Sequence, residues 1–220
     1  MMINKIIEDY VTSLYNEPDF FDKLRKEHYD YPISKKEVVG FIINMLAIIK
    51  PKKILEIGTC IGFSSMLMAD QDPEIEIITI DRHQIMIDKA KHHFFTYGYD
   101  NRIKLIEDSA LHALENMNEK EYMFDFIYLD AAKGQYIKFL PHLIRLLKTG
   151  GTIISDNILQ NGTVAQEWET IEKRQRTIYN NMRQFLQIIT NTEGLTSSIL
   201  TIGDGLAITT KTQDNIEYDF

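Results

Sequence analysis

Cysteine is nearly absent: Cys60 stands alone among 220 residues. No intrachain disulfide can form, so packing must hold the fold, and a reducing cytoplasm is the expected compartment. Long apolar runs are missing as well. None approaches the roughly 20 residues that a bilayer span requires, and the N-terminus carries acidic residues and no cleavable signal pattern, which predicts a soluble protein with no membrane attachment. Positive charge is in deficit, with 24 Lys and Arg against 32 Asp and Glu and a formal net charge of −8. That balance argues against indiscriminate coating of nucleic acid, which needs clustered cations, yet it leaves room for a local basic patch. Repeats, low-complexity tracts and Pro/Gly-rich linkers are lacking. At this length and with 44% hydrophobic residues, the chain is expected to bury one full core as a single domain, 1–220.

What is present is an alternation of apolar strands and helices. The first fifty residues read as a helical cap, with helices over 3–15 and 17–29. A third helix is opened by a capping box, Ser34-Lys35-Lys36-Glu37, and carries Val38, Val39, Ile42, Ile43, Leu46 and Ile49 at helical spacing until Pro51 ends it. Ile6, Val11, Leu14, Phe20 and Phe21 in this cap suit either a homodimer contact or a cover for a sheet. Strands are then expected at 53–57, 75–80, 102–107, 124–129 and 151–155, with helices at 62–70, 84–97, 109–118, 135–148 and 166–191. Such alternation implies parallel strands joined by right-handed crossovers. The tail, Ser198 to Ile202, then Gly203-Asp204-Gly205, then Leu206 to Thr209, reads as a hairpin that leaves one antiparallel strand at the sheet edge.

The segment from Ile54 to Ser65 breaks an apolar run into a glycine-punctuated turn and then a helix. Gly58 and Gly62 remove Cβ atoms where backbone must bend sharply and approach a ligand, and Asp81, closing the next apolar run, sits where a ribose hydroxyl would be gripped. The spacing Glu56-x-Gly58-x-x-x-Gly62-x-Ser64 is not the dinucleotide fingerprint. It looks like the first motif of the class I methyltransferases that use S-adenosylmethionine.

Strand ends in such sheets are where ligands bind, and two neighbouring strands here close on carboxylates: Asp130 after Phe126 to Leu129, and Asp156-Asn157 after Gly151 to Ser155. Two carboxylates and an amide carbonyl suit a hard cation such as Mg²⁺, with Mn²⁺ the other candidate, and a site poor in histidine and thiol disfavours zinc. Lys133, three residues after Asp130, could reach the same pocket and act as a base if burial and a nearby cation lowered its pKa. Singly, each of these residues reads more blandly. A strand-terminal Asp is more often a cap, Asp-Asn favours turns, and a first-turn Lys is usually solvated. Their placement at corresponding strand ends, beside the glycine cradle, favours the joint reading.

With Asp130-x-x-Lys133 and Asp156-Asn157 added to the glycine motif, the chain resembles the metal-dependent O-methyltransferases, the family of catechol and caffeoyl-CoA O-methyltransferases, from about Ile33 to Lys211. The resemblance implies an α/β, Rossmann-like class I methyltransferase fold: a mostly parallel seven-stranded sheet with one antiparallel edge strand, helices on both faces and an N-terminal helical extension. It implies Asp130, Asp156 and Asn157 as metal ligands and Lys133 as base. It also implies a donor site of Glu56, Gly58 and Ser64 around the methionine moiety, Asp81 on the ribose, Asp108-Ser109-Ala110 beside the adenine, Ile33 and Ser34 near the donor carboxylate, and Asp130 between donor and metal. One departure matters: the animal catechol enzymes carry His-Trp where this chain has Ala131-Ala132, which counts against catechol itself as acceptor.

The C-terminal third is similar to the bacterial tRNA 5-hydroxyuridine methyltransferases through Asp156 to Gly162, Glu172-Lys173-Arg174-Gln175-Arg176, Met182-Arg183-Gln184-Phe185 and Ile202 to Ile208. That resemblance implies the anticodon loop of tRNA as partner and the 5-oxygen of a wobble uridine as acceptor. In 5-hydroxyuridine the 5-hydroxyl and 4-carbonyl oxygens are neighbours and offer a cation the same two-oxygen bite as a vicinal diphenol. Small aromatic vicinal diols therefore stay open as acceptors, and a further alternative is a donor-binding or RNA-binding module without turnover, against which the joint presence of Asp130, Lys133, Asp156 and Asn157 counts. Lys173, Arg174, Arg176 and Arg183 on one helix, and Lys23, Arg25, Lys26, Lys35 and Lys36 near the 33–34 segment, are candidate phosphate contacts or ordinary solvated faces. Tyr31 or Tyr136 could stack on a splayed base.

Overall fold

The computed structural model describes residues 2–217. Among these, β1 (Lys53–Ile57), β2 (Glu76–Asp81), β3 (Ile103–Glu107), β4 (Phe124–Leu129), β5 (Leu147–Asp156), β6 (Leu195–Leu200) and β7 (Leu206–Lys211) form one sheet in the order β3-β2-β1-β4-β5-β7-β6. Strands β1 to β5 pair in parallel, and β7 runs antiparallel to both β5 and β6. The expected seven strands with one reversed are present; in detail the reversed strand lies second from the edge, with β6 outermost.

Helices α1 (Met2–Leu14), α2 (Asp19–Glu27), α3 (Lys36–Ile49), α4 (Phe63–Ala69) and α5 (Gln84–Thr96) precede β3 in the chain, and α6 (Ala110–Asn116), α7 (Tyr136–Leu146) and α8 (Arg176–Asn191) follow it. Two apolar clusters result, one on each face. Leu55, Ile57, Ile127 and Ile153 pack with Leu140, Leu143 and Phe185 of α7 and α8. Ile54, Phe126, Tyr128 and Ile154 pack with Phe21, Val39, Ile42 and Met66 of α2, α3 and α4. Central strands covered on both sides must be apolar nearly throughout, as β1 and β4 are.

The order places β1 next to β4, where the winding of the sheet reverses and the crossover helices diverge. A crevice must open outside the carboxyl ends of these strands. Tyr136 holds that end together. Its fully buried hydroxyl lies 3.0 Å from the carbonyl oxygens of both Leu129 and Asp156, and it accepts the Ala131 N–H at 3.3 Å.

Several expected elements change in detail. The capping box does not form: Lys35 is the N-cap of α3 without a side-chain cap, because Ser34 Oγ turns to the Tyr128 hydroxyl and Glu37 accepts from Thr12. Lys133 begins a 3-10 turn, Lys133–Gln135, before α7. The helix expected from 166 starts only at Arg176. Residues 163–175 form three 3-10 turns around the buried Ile171, and their carbonyls are met by α8 side chains, Tyr179 on Gln166 at 3.0 Å and Arg183 on Val164 at 3.4 Å. In the N-terminal cap, Phe21 is buried, whereas Ile6 and Leu14 remain exposed.

Replacing Tyr136 with Phe keeps the ring and removes the strap between β4 and β5, leaving the Ala131 N–H and two carbonyls to find other partners. The expected loss is about 1–3 kcal/mol of unfolding free energy in urea. A change below about 0.5 kcal/mol would mean that water substitutes for the hydroxyl.

Candidate active site

At the end of β1 the backbone can turn only because residue 58 is glycine. Its φ is +103°, and a Cβ there would fall 1.9 Å from the carbonyl oxygen of Asp130 at the end of β4. Gly62, the N-cap of α4, has φ +82° and faces the Phe94 ring of α5, so the turn leads directly into α4 while lying against α5. Between them Cys60 adopts φ +48°, and burial pushes its thiol up to about 11, which makes it an unreactive packing residue at neutral pH.

The turn is floored by Glu56. It is fully buried and accepts from Ser64 at 2.5 Å, from Thr79 at 2.6 Å and from Ser65, while Thr59 and Thr79 share a further bond at 2.6 Å. Both carboxylate oxygens are thus engaged by side chains, and Glu56 supports the cradle from behind without lining the cavity. Burial pushes its carboxyl up to about 7, the three hydroxyl donors opposing that rise. Asp81, closing β2, accepts the Cys60 N–H at 3.0 Å and the His83 N–H at 2.9 Å, which aims its carboxylate across the turn. Past β3, Asp108 accepts the Ser109 N–H at 2.6 Å and pairs with His112, which holds its carboxyl below the usual range, and Ser109 is the N-cap of α6.

On the other side of the switch point, Asp130 Oδ1 takes a hydrogen bond from Lys133 Nζ at 2.5 Å. Asp156 is buried; its Oδ1 accepts the Asn157 N–H at 2.6 Å and its Oδ2 accepts the Tyr128 hydroxyl at 2.8 Å. Burial, and after it the charge of Asp130, push the Asp156 carboxyl up to about 6. Asn157 takes φ +54°, which swings the chain out of the strand at the cavity.

A single cavity of about 980 Å³ gathers these ends, a size suited to a large cofactor together with part of an acceptor. Its walls include Ile33, Ser34, Gly58, Ser64, Asp81, Asp108, Ser109, Ala110, Asp130, Lys133, Asp156 and Asn157, every expected site residue except Glu56. Lys35, expected only as a basic residue near the 33–34 segment, lines it too, as do Arg82, His83 and Met86, and Gly203-Asp204, which were not foreseen. Arg82, His83 and Met86 simply follow Asp81 beyond the same strand end. Asp204 arrives because the β6–β7 turn docks on the loop after β5, through Ile158 N to Gly205 O at 3.1 Å, Leu159 N to Asp204 O at 3.0 Å and Asn161 N to Asp204 Oδ1 at 2.5 Å.

The residues fit a hard divalent cation by donor chemistry. Two carboxylates, the charge of Asp130 reaching that of Asp156, and one amide line the same cavity, with the Lys133 side chain bonded to Asp130. No group of three or more His, Cys, Asp or Glu side chains that could hold a metal ion gathers among the described residues.

The basic clusters are largely spent within the fold. Arg25 pairs with Glu17, Lys26 and Lys36 with Asp22, Lys23 with Glu27 and Arg174 with Glu172. Arg176 stacks on Trp168 at 4.8 Å, and Arg183 donates to the Tyr179 hydroxyl at 2.6 Å. Lys173 and Arg174 lie in a 3-10 turn and do not share α8 with Arg176 and Arg183. Tyr136 is fully buried and cannot stack on a base, while Tyr31 is partly exposed under Lys89.

A parallel sheet reversed at β1/β4, with a glycine cradle, an acidic residue closing β2 and an oxygen-rich cluster across the switch point, defines a Rossmann-like class I methyltransferase. The chain belongs to the S-adenosylmethionine-dependent O-methyltransferase family of caffeoyl-CoA type: the family model described as O-methyltransferase matches residues 11–212. It is 31% identical over 215 residues to a probable caffeoyl-CoA O-methyltransferase of Arabidopsis thaliana, covering 90% of this chain and 89% of that one. A tapetum-specific methyltransferase of the same plant is 31% identical over 170 residues, 76% of this chain and 73% of its own. Among solved structures, a candidate caffeoyl-CoA O-methyltransferase from Staphylococcus aureus superposes with a TM-score of 0.85 at 33% identity, covering 94% of this chain and 99% of that one. An S-adenosylhomocysteine-bound methyltransferase of Podospora anserina, at 22% identity, shares the fold with a TM-score of 0.83 over 96% of each chain.

Glu56 supplies a pH signature of the cradle. Its carboxyl is raised in the folded protein, so the folded state holds the proton more tightly, and stability falls as pH rises from about 4.5 to about 7. Against a Glu56→Gln variant, the ligand-free protein should lose up to about 3 kcal/mol across that window in urea titrations. A difference independent of pH would show that the carboxyl titrates normally.

Proposed function

We propose that the protein transfers the methyl group of S-adenosylmethionine to the 5-hydroxyl of 5-hydroxyuridine at the wobble position of tRNA, giving 5-methoxyuridine. The observation that carries the transfer chemistry is the meeting of two residue sets on one cavity: Gly58, Ser64 and Asp81 around the ends of β1 and β2, and Asp130, Lys133, Asp156 and Asn157 around the ends of β4 and β5. In this reading Asp81 holds the donor ribose, Asp108-Ser109-Ala110 border the adenine, and Ile33-Ser34 approach the methionine end. Asp130, Asp156 and Asn157 would hold Mg²⁺ or Mn²⁺, which would act as a Lewis acid and lower the pKa of an acceptor hydroxyl.

The acceptor oxygen attacks the methyl carbon as the carbon–sulfur bond breaks, its electron pair going to sulfur. The hydroxyl proton passes to Lys133 Nζ in its amine form, which hydrogen bonding to Asp130 keeps at the cavity wall. Much of the rate comes from holding donor and acceptor in line with little water between them.

Support for the nucleotide acceptor is the sequence of the C-terminal third, the alanines at 131 and 132, and the cations Lys35 and Arg82 on the cavity wall. With that acceptor the enzyme works in the cytoplasm, and Ile6, Ile7, Tyr10 and Leu14, exposed on α1, suit a homodimer contact. No helix among the described residues is long and apolar enough to cross a membrane. A second reading, methylation of a small vicinal diphenol or caffeoyl-type compound, is favoured by the caffeoyl-CoA O-methyltransferases among the relatives and by the internal pairing of most basic residues.

Labelled S-adenosylmethionine, offered with Mg²⁺ to tRNA containing 5-hydroxyuridine, to the same tRNA without the hydroxyl and to a simple catechol, separates these. Labelling of the hydroxylated tRNA alone is expected; labelling of catechol alone would overturn the tRNA reading. Asp130→Ala should abolish divalent-ion binding, whereas Lys133→Ala should keep it and lower kcat about 10²-fold or more. Turnover that persists after chelation of divalent ions would contradict the mechanism.

A further inference from the structure

Tyr128 takes no part in the reaction described above, yet it touches both halves of the site. Its side chain is fully buried in β4, where phenylalanine would fill nearly the same space. A hydroxyl hidden from water is costly unless it finds partners, and this one has two. It donates to Asp156 Oδ2 at 2.8 Å, and Ser34 Oγ lies 3.1 Å from it. Strand register accounts for the first contact. Tyr128 pairs with Ile154, and Asp156 lies two residues further along β5, on the same face and diagonally opposite.

Ser34 is fixed from the opposite direction. Arg25 of α2 donates to the Ser34 carbonyl at 2.7 Å while its guanidinium is paired with Glu17 through Nε at 2.8 Å. A continuous polar path therefore runs from Glu17 through Arg25, Ser34 and Tyr128 to Asp156. It joins the helical cap to the carboxylate at the end of β5.

We infer that Tyr128 is a positioning residue that couples the Ile33-Ser34 segment on the donor side to the Asp156-Asn157 pair on the acceptor side. The inference rests on the assignment of those two sides made under the proposed function. The Tyr128 proton on Oδ2 and the Asn157 N–H on Oδ1 together set the orientation of the Asp156 carboxylate. A donor that settles against Ser34 holds its Oγ toward the Tyr128 oxygen, and a hydroxyl that accepts one hydrogen bond donates its own more strongly. Donor binding thus favours the carboxylate orientation that receives a cation. By thermodynamic reciprocity the cation tightens the donor by the same factor.

The test is calorimetry of Mn²⁺ binding with and without S-adenosylhomocysteine, for the wild type, Tyr128→Phe and Ser34→Ala. It is paired with amide hydrogen exchange over 32–36 and 156–158. In the wild type, S-adenosylhomocysteine should tighten Mn²⁺ about 5-fold or more and protect both segments. In Tyr128→Phe the factor should fall to near 1, and protection should remain at 32–36 while disappearing at 156–158. Ser34→Ala breaks the same path from its other end and should uncouple Mn²⁺ in the same way, which keeps the test decisive if the tyrosine variant folds poorly. A coupling factor unchanged in the variants, or no ligand-induced protection at 156–158 in the wild type, overturns the inference. If the wild type binds no Mn²⁺ at all, the cation assignment fails, and the exchange data still decide whether Tyr128 links the two segments.

Discussion

The rest of the site depends on how closely β1 and β4 approach at their carboxyl ends. The turn after β1 can lie against the Asp130 carbonyl only while residue 58 has no Cβ, since a methyl there would overlap that oxygen at 1.9 Å. From this approach follow two things. The turn that would carry a donor and the aspartate that would carry a cation share a wall, and the strand pair leaves its crevice where the winding of the sheet reverses. Glu56 fixes the turn from below through three hydroxyl donors, and Tyr136 fixes the ends of β4 and β5 from the opposite face. The catalytic geometry is therefore held by strand ends and buried hydrogen bonds, which position groups more rigidly than free loops do.

Much of this was legible in the sequence, for physical reasons. Fully buried parallel strands must be apolar nearly throughout, so Ile54 to Ile57 and Phe126 to Leu129 announce themselves, and glycines with positive φ mark the cradle between a strand and a helix. Because ligands gather at strand ends, residues placed there by a coarse strand assignment were placed in the cavity as well. Glu56 was harder to read. Its position in the motif points to ligand contact, but its side chain turns into the core, where Ser64, Ser65 and Thr79 engage both oxygens.

The features that escaped sequence reading depend on tertiary partners. Ser34 looks like a helix cap because Glu37 stands three residues later, yet the Tyr128 hydroxyl competes for it across 94 positions and wins. The helix expected from 166 fails to start until Arg176 because Ile171 is drawn into the core and α8 side chains bond the loop carbonyls that a helix would have used. Asp204 reaches the cavity through backbone bonds between two loops, a contact that leaves no periodic trace. The basic residues, which as a string look like a phosphate-binding surface, mostly find carboxylates or aromatic rings of the same chain. In the proposed reading, acceptor choice turns on the few cations that line the cavity, Lys35 and Arg82 among them, and on the shape left by Ala131 and Ala132.

The account stands on one claim, that donor and divalent cation occupy neighbouring parts of the same cavity. Crystals grown with S-adenosylhomocysteine and Mn²⁺, with data collected near the manganese absorption edge, test it directly. The account predicts one anomalous peak at coordination distance from Asp130, Asp156 and Asn157, with the nucleoside ribose on Asp81. S-adenosylhomocysteine seated in the cradle with manganese absent from those three residues, or bound elsewhere, would contradict it.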